Sequence, residues 1–256
     1  MSSTIRAVRV SALDEVPGLV HGFEQRVVAL ARNEFALAIE LGGPFGPPKP
    51  PAGAESSEGS RRRVAEALRP FGRLHLLKQV HGAGVRRAPW SGRPEGDAAV
   101  AGSPGLILGI ETADCLPILL VDPVRRAVAA AHAGWRGSAA GVARAAVAAL
   151  VSGGSRPGDL LAVTGPGIGP CCYEVGDELR DAFGASGAAF FRPGPRGRPH
   201  LDVRGLNERQ LREAGLAEER LHRVADCTYC RADLYHSYRR EGRGAGRMIN
   251  YVGFTA

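Results

Sequence analysis

The chain has very little lysine: Lys49 and Lys78 are its only two, and arginine supplies almost all of its positive charge. The formal net charge is +7, but the arginines are scattered, apart from short clusters at 61–63 and 239–240. A nucleic-acid-binding surface shows a concentrated basic stripe or a known module. The sequence therefore argues against a nucleic-acid partner, and an anionic small substrate explains the surplus charge equally well.

Long apolar runs are also missing. The longest, at 116–121 and 127–131, are far shorter than the roughly 20 residues that a membrane-spanning helix needs. The first ten residues lack the apolar core of a secretory signal. We therefore expect a cytoplasmic protein with no membrane partner.

Cysteine is scarce and odd in number, so its five residues cannot all pair within the chain. With no sign of export, free thiols in a reducing compartment fit better than a disulfide framework. A C-x-x-C such as that at 227–230 suggests a redox pair or half of a zinc site, but the chain has no thioredoxin-like context around it and no second C-x-x-C. Cys171 and Cys172 are adjacent and are not expected to bind one ion together. We interpret these four as packed, structural cysteines.

The apolar patterning predicts strands and helices in mixed order. Continuous apolar runs are typical of strands that are covered on both faces. Strands are expected at 5–10, 74–85, 106–111, 116–121, 127–132, 160–164 and 247–254. Helices are expected after an N-cap at Ser60, from an N-cap at Ser138 to 151, and at 175–183, 204–214 and 233–240.

Segment 42–60 is rich in proline, glycine and serine and is expected to be a surface loop, as is 184–199. The chain shows neither an internal repeat nor a clear domain boundary. The order of elements predicts that residues 1–256 form a single α+β domain, a mixed α/β sandwich.

Three short motifs carry the residues with the most chemistry: QVHG at 79–82, TADCLP at 112–117 and HAGWRG at 132–137. Each lies where an apolar strand gives way to a turn marked by glycine or proline. They offer two imidazoles and one thiol, from His81, Cys115 and His132. Catalytic zinc sites commonly use three such ligands and keep a fourth position open. The three residues are therefore a candidate metal site, which only the tertiary fold can assemble.

The neighbours of these ligands have alternative roles. Asp114 is either a carboxylate that orients an imidazole or a turn residue that binds local backbone N–H groups. Arg136 either holds a phosphate oxygen or forms a surface salt bridge. The glycine-rich loop at 165–169 either presents N–H groups to an anion or makes a tight connection from strand to helix.

These motifs, with GPGIGPCCYEVG at 165–176 and SYRR at 237–240, resemble the YfiH family. That family was first called the multicopper polyphenol oxidoreductase or laccase-domain family and is now described as purine nucleoside phosphorylases. The likeness runs in consistent order from about residue 74 to residue 254. It implies a YfiH-like fold and a zinc ion on His81, Cys115 and His132.

The N-terminal quarter fits the family less well. HGF at 21–23 and Arg26 resemble the entry motif, but the family's Thr or Ser before the arginine and Gly-Gly turn after it are absent. The resemblance implies that Arg26 contacts substrate. The departure concerns the substrate range more than the metal site.

The resemblance implies a zinc-dependent purine nucleoside phosphorylase. Its substrates would be phosphate and adenosine, inosine or methylthioadenosine, with hydrolytic deamination of adenosine as a second activity. Cys115, His132, Arg136 and Arg26 are the expected catalytic residues, with the two arginines on phosphate or sugar. Zn²⁺ is expected rather than copper, since the chain lacks the His-rich pairs of a multicopper cluster. A monomer or small homo-oligomer is expected.

Two other functions remain open at this level. In one, Cys115 is the nucleophile of an amidase that edits peptidoglycan precursors, activated by His132 or His81. In the other, the chain is a non-catalytic, zinc-stabilised interaction module. Structural zinc sites fill all four positions with protein ligands, so this function needs a fourth ligand such as Asp114 or His75.

Overall fold

The computed structural model describes residues 5–26, 56–195 and 197–256. The strands are β1 (Ala7–Val8), β2 (Leu19–Glu24), β3 (Arg73–Leu76), β4 (Val85–Arg87), β5 (Ala98–Ala101), β6 (Leu106–Thr112), β7 (Leu116–Asp122), β8 (Ala127–Ala133), β9 (Leu161–Thr164), β10 (Phe191–Pro193), β11 (Pro199–Leu201), β12 (Leu221–Arg223) and β13 (Met248–Phe254). The α-helices are α1 (Ser11–Asp14), α2 (Ser57–Leu68), α3 (Trp135–Ala139), α4 (Val142–Ser152), α5 (Glu178–Gly187), α6 (Val203–Glu213) and α7 (Tyr238–Glu241).

The strands form two mixed sheets and a small hairpin. One sheet has five strands in the order β1-β2-β13-β6-β3, and the other has six in the order β12-β9-β7-β8-β5-β4. Most neighbours are antiparallel, whereas β3 runs parallel to β6, β4 to β5, and β12 to β9. Strands β10 and β11 pair with each other.

The fold is a sandwich of four layers: helices α4 and α6, the six-stranded sheet, the five-stranded sheet, and helix α2. In β7, Ile118 and Leu120 pack in a core with α4 and α6, whereas Leu119 and Val121 pack in a second core against the five-stranded sheet. Successive side chains of a strand point to opposite faces, so one apolar run serves both cores. A third core, which includes Val64 of α2, covers the outer face of the five-stranded sheet. The layers confirm the expected α+β sandwich.

Two helix starts differ from the sequence prediction. Helix α2 begins after Ser56, whose side chain accepts from the Gly59 N–H. Ser60 lies inside it and bonds Glu24. Residues 57–60 of the expected 42–60 loop are thus helical, and 42–55 lie outside the described residues.

The helix expected at 138–151 is interrupted at Gly141, whose φ of 80° is left-handed. It is therefore two helices, α3 and α4. Ser138 does not cap either one. It is buried, and its hydroxyl accepts a hydrogen bond from Asn207.

Other differences are smaller. The helix expected at 233–240 is a four-residue turn of helix, and β10 lies within the loop expected at 184–199. The sequence predicts a strand over 74–85 that is interrupted at His81 and Gly82, and the structure has two strands there, β3 and β4, with a longer break over 77–84. Among the described residues, no helix is both long and apolar enough to cross a bilayer.

Candidate metal centre and substrate cavity

His81, Cys115 and His132 come together at one end of the two central strands, β7 and β8, of the six-stranded sheet. Strands β7 and β8 are antiparallel neighbours with Pro117 opposite His132, so Cys115, just before β7, lies beside the end of β8. His81 joins them from the turn between β3 and β4. One ligand atom from each residue lies within 4.8 Å of the others, and the two imidazole rings meet edge to face.

Asp97 orients both histidines. Its Oδ1 lies 2.8 Å from Nδ1 of His132, which leaves Nε2 of that ring available to a metal. The same carboxylate accepts the backbone N–H groups of Val80, His81 and Gly82 at 2.7–3.2 Å. These bonds hold His81 at a φ of 61°, which is uncommon for a residue other than glycine. A carboxylate behind a ligating imidazole is the usual arrangement in metal sites.

Sequence reasoning missed Asp97, which no motif marks. One signal was present: a carboxylate directly precedes the apolar run of β5, where burial demands a partner. Asp114, the carboxylate that the sequence suggested for this role, bonds other groups instead. It accepts from the Thr228 hydroxyl at 2.6 Å and from the Arg239 N–H at 2.7 Å.

Without a bound metal, the electrostatics favour a Cys115 thiolate paired with a protonated His132. Burial by itself raises the pKa of the Cys115 thiol, but charge and hydrogen bonds from His132 and His81 outweigh it and lower that pKa to about 6. Burial opposes charge on His132, but the Cys115 thiolate and the Asp97 carboxylate raise its pKa to about 9. Metals bind the thiolate form of cysteine, so the site presents its sulfur in the binding form at neutral pH. A metal binds the neutral imidazole, so its binding would displace the proton of His132.

Close packing around the ligands favours a glycine at 134. A Cβ on Gly134 would lie 3.1 Å from Sγ of Cys115 and 3.2 Å from Cδ2 of His81. No further His, Cys, Asp or Glu of the described residues joins the three-ligand group. His75, considered as a fourth ligand, instead stacks edge to face against Trp90. One thiolate and two imidazoles fit a tetrahedral metal that keeps an open position.

The three ligands line a cavity of about 990 Å³ with an excess of positive charge. The charged side chains at its wall are Arg61, Lys78, Arg93, Arg136, Arg239, Arg247, Glu111 and Asp114. Glu111 is paired with Arg61 and Arg93. The wall also carries three aromatic side chains: Trp135, Tyr173 and Tyr238. The cavity therefore suits an anionic ligand that also carries a flat apolar group.

Arg136 is an exposed cation of this wall. It follows Trp135 at the start of α3, and its guanidinium carbon lies 4.4 Å from the centre of the Trp135 ring. Among the described residues Arg136 forms no salt bridge. The structure therefore does not support the surface salt bridge that was the alternative role for this residue. The group remains available to a ligand.

Arg26 is not part of the cavity wall that carries the other predicted site residues. Its guanidinium is 2 % exposed and lies 3.2 Å from the carboxylate of Glu241, whose side chain is equally buried. It also donates to the Ala232 carbonyl and does not line the cavity. The positive charge of Arg26 is therefore paired with Glu241, whereas the family resemblance implied that it contacts substrate.

The glycine-rich loop after β9 is a structural connection. The N–H groups of Gly165, Gly167 and Ile168 donate to backbone carbonyls, and that of Gly169 donates to Sγ of Cys227. Because these N–H groups already donate hydrogen bonds within the protein, they are not available to bind an anion. Ile168 reaches the cavity wall by its side chain.

Comparison with known proteins gives a family match over most of the chain. Residues 54–255 match the family described as multi-copper polyphenol oxidoreductase laccase. A purine nucleoside phosphorylase of Deinococcus radiodurans is 37% identical over 237 residues, 91% of this chain and 88% of the relative. The purine nucleoside phosphorylase YfiH of Escherichia coli is 36% identical over 76% of this chain and 79% of its own.

One similar protein carries a different activity in its name, and one has a solved structure. An adenosine deaminase, RL5, from an unknown prokaryotic organism is 36% identical over 61% of both chains. The crystal structure of YlmD from Geobacillus stearothermophilus superposes with a TM-score of 0.77 at 29% identity, covering 94% of this chain and 93% of that one. With the family match spanning most of the chain, the protein belongs to the multi-copper polyphenol oxidoreductase laccase family, whose relatives include YfiH.

Proposed function

We propose that the chain is a zinc-dependent purine nucleoside phosphorylase, which splits a purine nucleoside with phosphate into free base and sugar 1-phosphate. The observation that carries the proposal is the juxtaposition of a three-ligand metal group with the cation-rich cavity wall. The names of the Deinococcus radiodurans and Escherichia coli relatives support the same reaction.

The chain's own residues have distinct tasks in this reaction. His81, Cys115 and His132 hold the metal, and Zn²⁺ bound there supplies a Lewis acid that polarises an oxygen of phosphate or of water. Asp97 keeps His132 in the tautomer whose Nε2 faces the metal. Arg136 binds a phosphate oxygen through a charge-assisted hydrogen bond.

The aromatic side chains supply the surface for the base. Tyr173 is half-buried beside the metal ligands, and Tyr238 is exposed at the cavity wall. Flat rings of this kind offer stacking faces to a purine. Arg239 lies over the Tyr173 ring and donates to the Glu174 carbonyl, which keeps this part of the wall in place.

The donor set supports zinc over copper. One thiolate and two imidazoles suit a single tetrahedral ion, whereas a multicopper centre needs several neighbouring histidine groups. The other histidines of the chain, apart from His81 and His132, belong to no metal-binding group among the described residues.

The test is phosphate-dependent release of free base from adenosine and inosine by the purified, zinc-loaded chain. We expect release that rises with phosphate and is lost in Cys115→Ala and His132→Ala. His222→Ala, which changes a histidine outside the cavity, is the matched control and should keep full activity. No release at saturating phosphate from a folded, zinc-loaded protein would refute the proposal.

Adenosine deamination is a second candidate, favoured by the likeness to RL5. Conversion of adenosine to inosine in phosphate-free buffer is its assay. The Cys115–His132 pair also suits a cysteine nucleophile, the amidase alternative. Removal of zinc with a chelator distinguishes these: it abolishes both nucleoside activities but releases the thiolate of a cysteine hydrolase.

A further inference from the structure

Four cysteines meet at a second place, outside the cavity. Cys171 and Cys172 lie just after the glycine-rich loop, and Cys227 and Cys230 lie in the turn before Arg231. All four sulfur atoms lie within 4.8 Å of one another. The separation from Cys230 is 3.8 Å for Cys171 and 3.4 Å for Cys172.

We propose that these four cysteines bind one structural Zn²⁺ ion in tetrahedral, all-sulfur coordination, in addition to the metal of the cavity. A Zn–S bond is about 2.3 Å long, which puts the sulfurs of a regular tetrahedron about 3.8 Å apart. The two separations from Cys230, 3.8 Å and 3.4 Å, are close to that edge, and all four sulfur atoms lie within 4.8 Å of one another. Four protein ligands leave no open position, so this site is structural rather than catalytic.

The sequence interpretation, four packed thiols, is revised by the shape of one turn. Adjacent residues of a strand point to opposite faces and could not share an ion. Here the N–H groups of Cys172 and Tyr173 both donate to the Gly169 carbonyl, so the segment turns as one turn of a helix does. Consecutive side chains then differ by about 100° instead of 180°, which brings both sulfurs to the same side.

One backbone N–H supports a thiolate in this cluster, whereas burial raises the pKa of the Cys171 and Cys172 thiols, whose protons a bound metal would displace. The Gly169 N–H donates to Sγ of Cys227 at 3.2 Å, a bond that favours the charged form of sulfur. A Cβ on Gly169 would lie 3.2 Å from Sγ of Cys171 and 3.7 Å from Sγ of Cys227. Arg240, which is paired with Glu241, donates to the carbonyls of Thr228 and Tyr229 and so holds the C-x-x-C turn in place.

Alternative occupants fit the spacing less well. An iron–sulfur cluster interposes several iron and sulfide atoms between its thiolates and needs a wider cage. Two disulfides would link the cysteines in pairs, but they would not explain why all four sulfur atoms lie close to one another. Binding of one Zn²⁺ instead requires only that the thiols lose their protons to solvent.

The ion would brace one wall of the cavity. It joins residues 171–172 to residues 227–230, and between the latter lies Thr228, which holds the Asp114 carboxylate beside Cys115. Tyr173 follows directly after the other pair and lines the cavity. A single cross-link thus connects two segments that are distant in sequence and that both lie next to the cavity wall.

The first experiment counts zinc by elemental analysis in the full chain purified under reducing conditions. We expect about two zinc ions per chain in the wild type and about one in His81→Ala/Cys115→Ala, which keeps the four-cysteine site. The matched variant Cys227→Ser/Cys230→Ser should also hold about one zinc ion, which is bound at the cavity site. Cobalt bound to His81→Ala/Cys115→Ala should show the intense absorption of a tetrahedral all-thiolate site.

The deciding result does not require the cysteine variant to fold, because the wild type and the cavity variant already separate the two sites. A natively folded His81→Ala/Cys115→Ala protein without zinc would overturn the proposal. So would mass-spectrometric detection of a Cys172–Cys230 disulfide in the reduced preparation. Neither result bears on phosphorolysis, which is measured separately on the wild type.

Discussion

Oδ1 of Asp97 lies 2.8 Å from Nδ1 of His132, and both side chains are buried. The same carboxylate accepts the N–H of His81, so one residue outside the motifs positions two of the three metal ligands. Burial raises the pKa of Asp97, but the bonds from His132 and the backbone outweigh it and leave that pKa below its usual range. The carboxylate therefore stays charged behind the histidine.

Asp97→Asn should weaken zinc binding about 10- to 100-fold, the range typical of such supporting carboxylates. The amide has the same shape, but its NH₂ group must face one of the four N–H donors that the carboxylate accepts. Competition with a chromophoric chelator measures the affinity. Asp114→Asn, whose carboxylate touches neither imidazole, is the control, and equal affinities in the two folded variants would contradict the prediction.

Arg136→Gln should raise the KM for phosphate about 10- to 100-fold, as expected for one lost hydrogen bond to a charged group. The KM for nucleoside and the melting temperature should change little, because Arg136 has no salt bridge to a described residue. Steady-state kinetics at varied phosphate give the answer. Arg144→Gln removes an exposed arginine far from the cavity wall and should leave both constants unchanged.

Arg26→Met should lower the free energy of unfolding by about 2–4 kcal/mol, because it leaves the buried Glu241 carboxylate with fewer partners. Arg240 and His236 remain beside Glu241 and limit the loss. Urea unfolding measures it, and Arg26→Met/Glu241→Gln should recover part of the stability.

The phosphate KM of folded Arg26→Met should equal that of the wild type. A large rise in that constant with unchanged stability would instead place Arg26 on the substrate, as the family resemblance implied.

His21 should make the fold sensitive to mild acid. Its ring is buried and its Nε2 accepts the Val10 N–H, and burial outweighs the attraction of Asp14 and lowers its pKa to about 4. The unfolded chain binds a proton near pH 6.5, so stability is present above that pH and declines as the pH falls toward 4. The loss from this residue is about 3 kcal/mol between pH 7 and pH 4.

His21→Gln removes the titrating group and keeps a hydrogen-bond acceptor. The difference in unfolding free energy between pH 7 and pH 4 should therefore be smaller in this variant, as measured by urea unfolding at both pH values. Parallel stability curves for variant and wild type would show that His21 does not carry the effect.

The amino-acid sequence by itself determined the central strands and marked the three side chains of the candidate metal site. The runs that became β6, β7 and β8 are apolar enough to be buried on both faces, and the motifs at their ends carry Cys115 and His132. Such features are local, since they depend on residue type and on neighbours within a few positions. The starts of two helices were predicted wrongly. The hydroxyls of Ser60 and Ser138 do not cap a helix but bond side chains that are distant in the chain.

Only the tertiary structure decided which polar groups meet. Asp97 and His132 are 35 positions apart, and Arg26 and Glu241 are 215 apart. Cys171 and Cys172 meet Cys227 and Cys230 only because the turns after β9 and β12 lie side by side on parallel strands. A buried charge or thiol takes its partner from whatever the packed layers bring near it, and no local pattern records that choice.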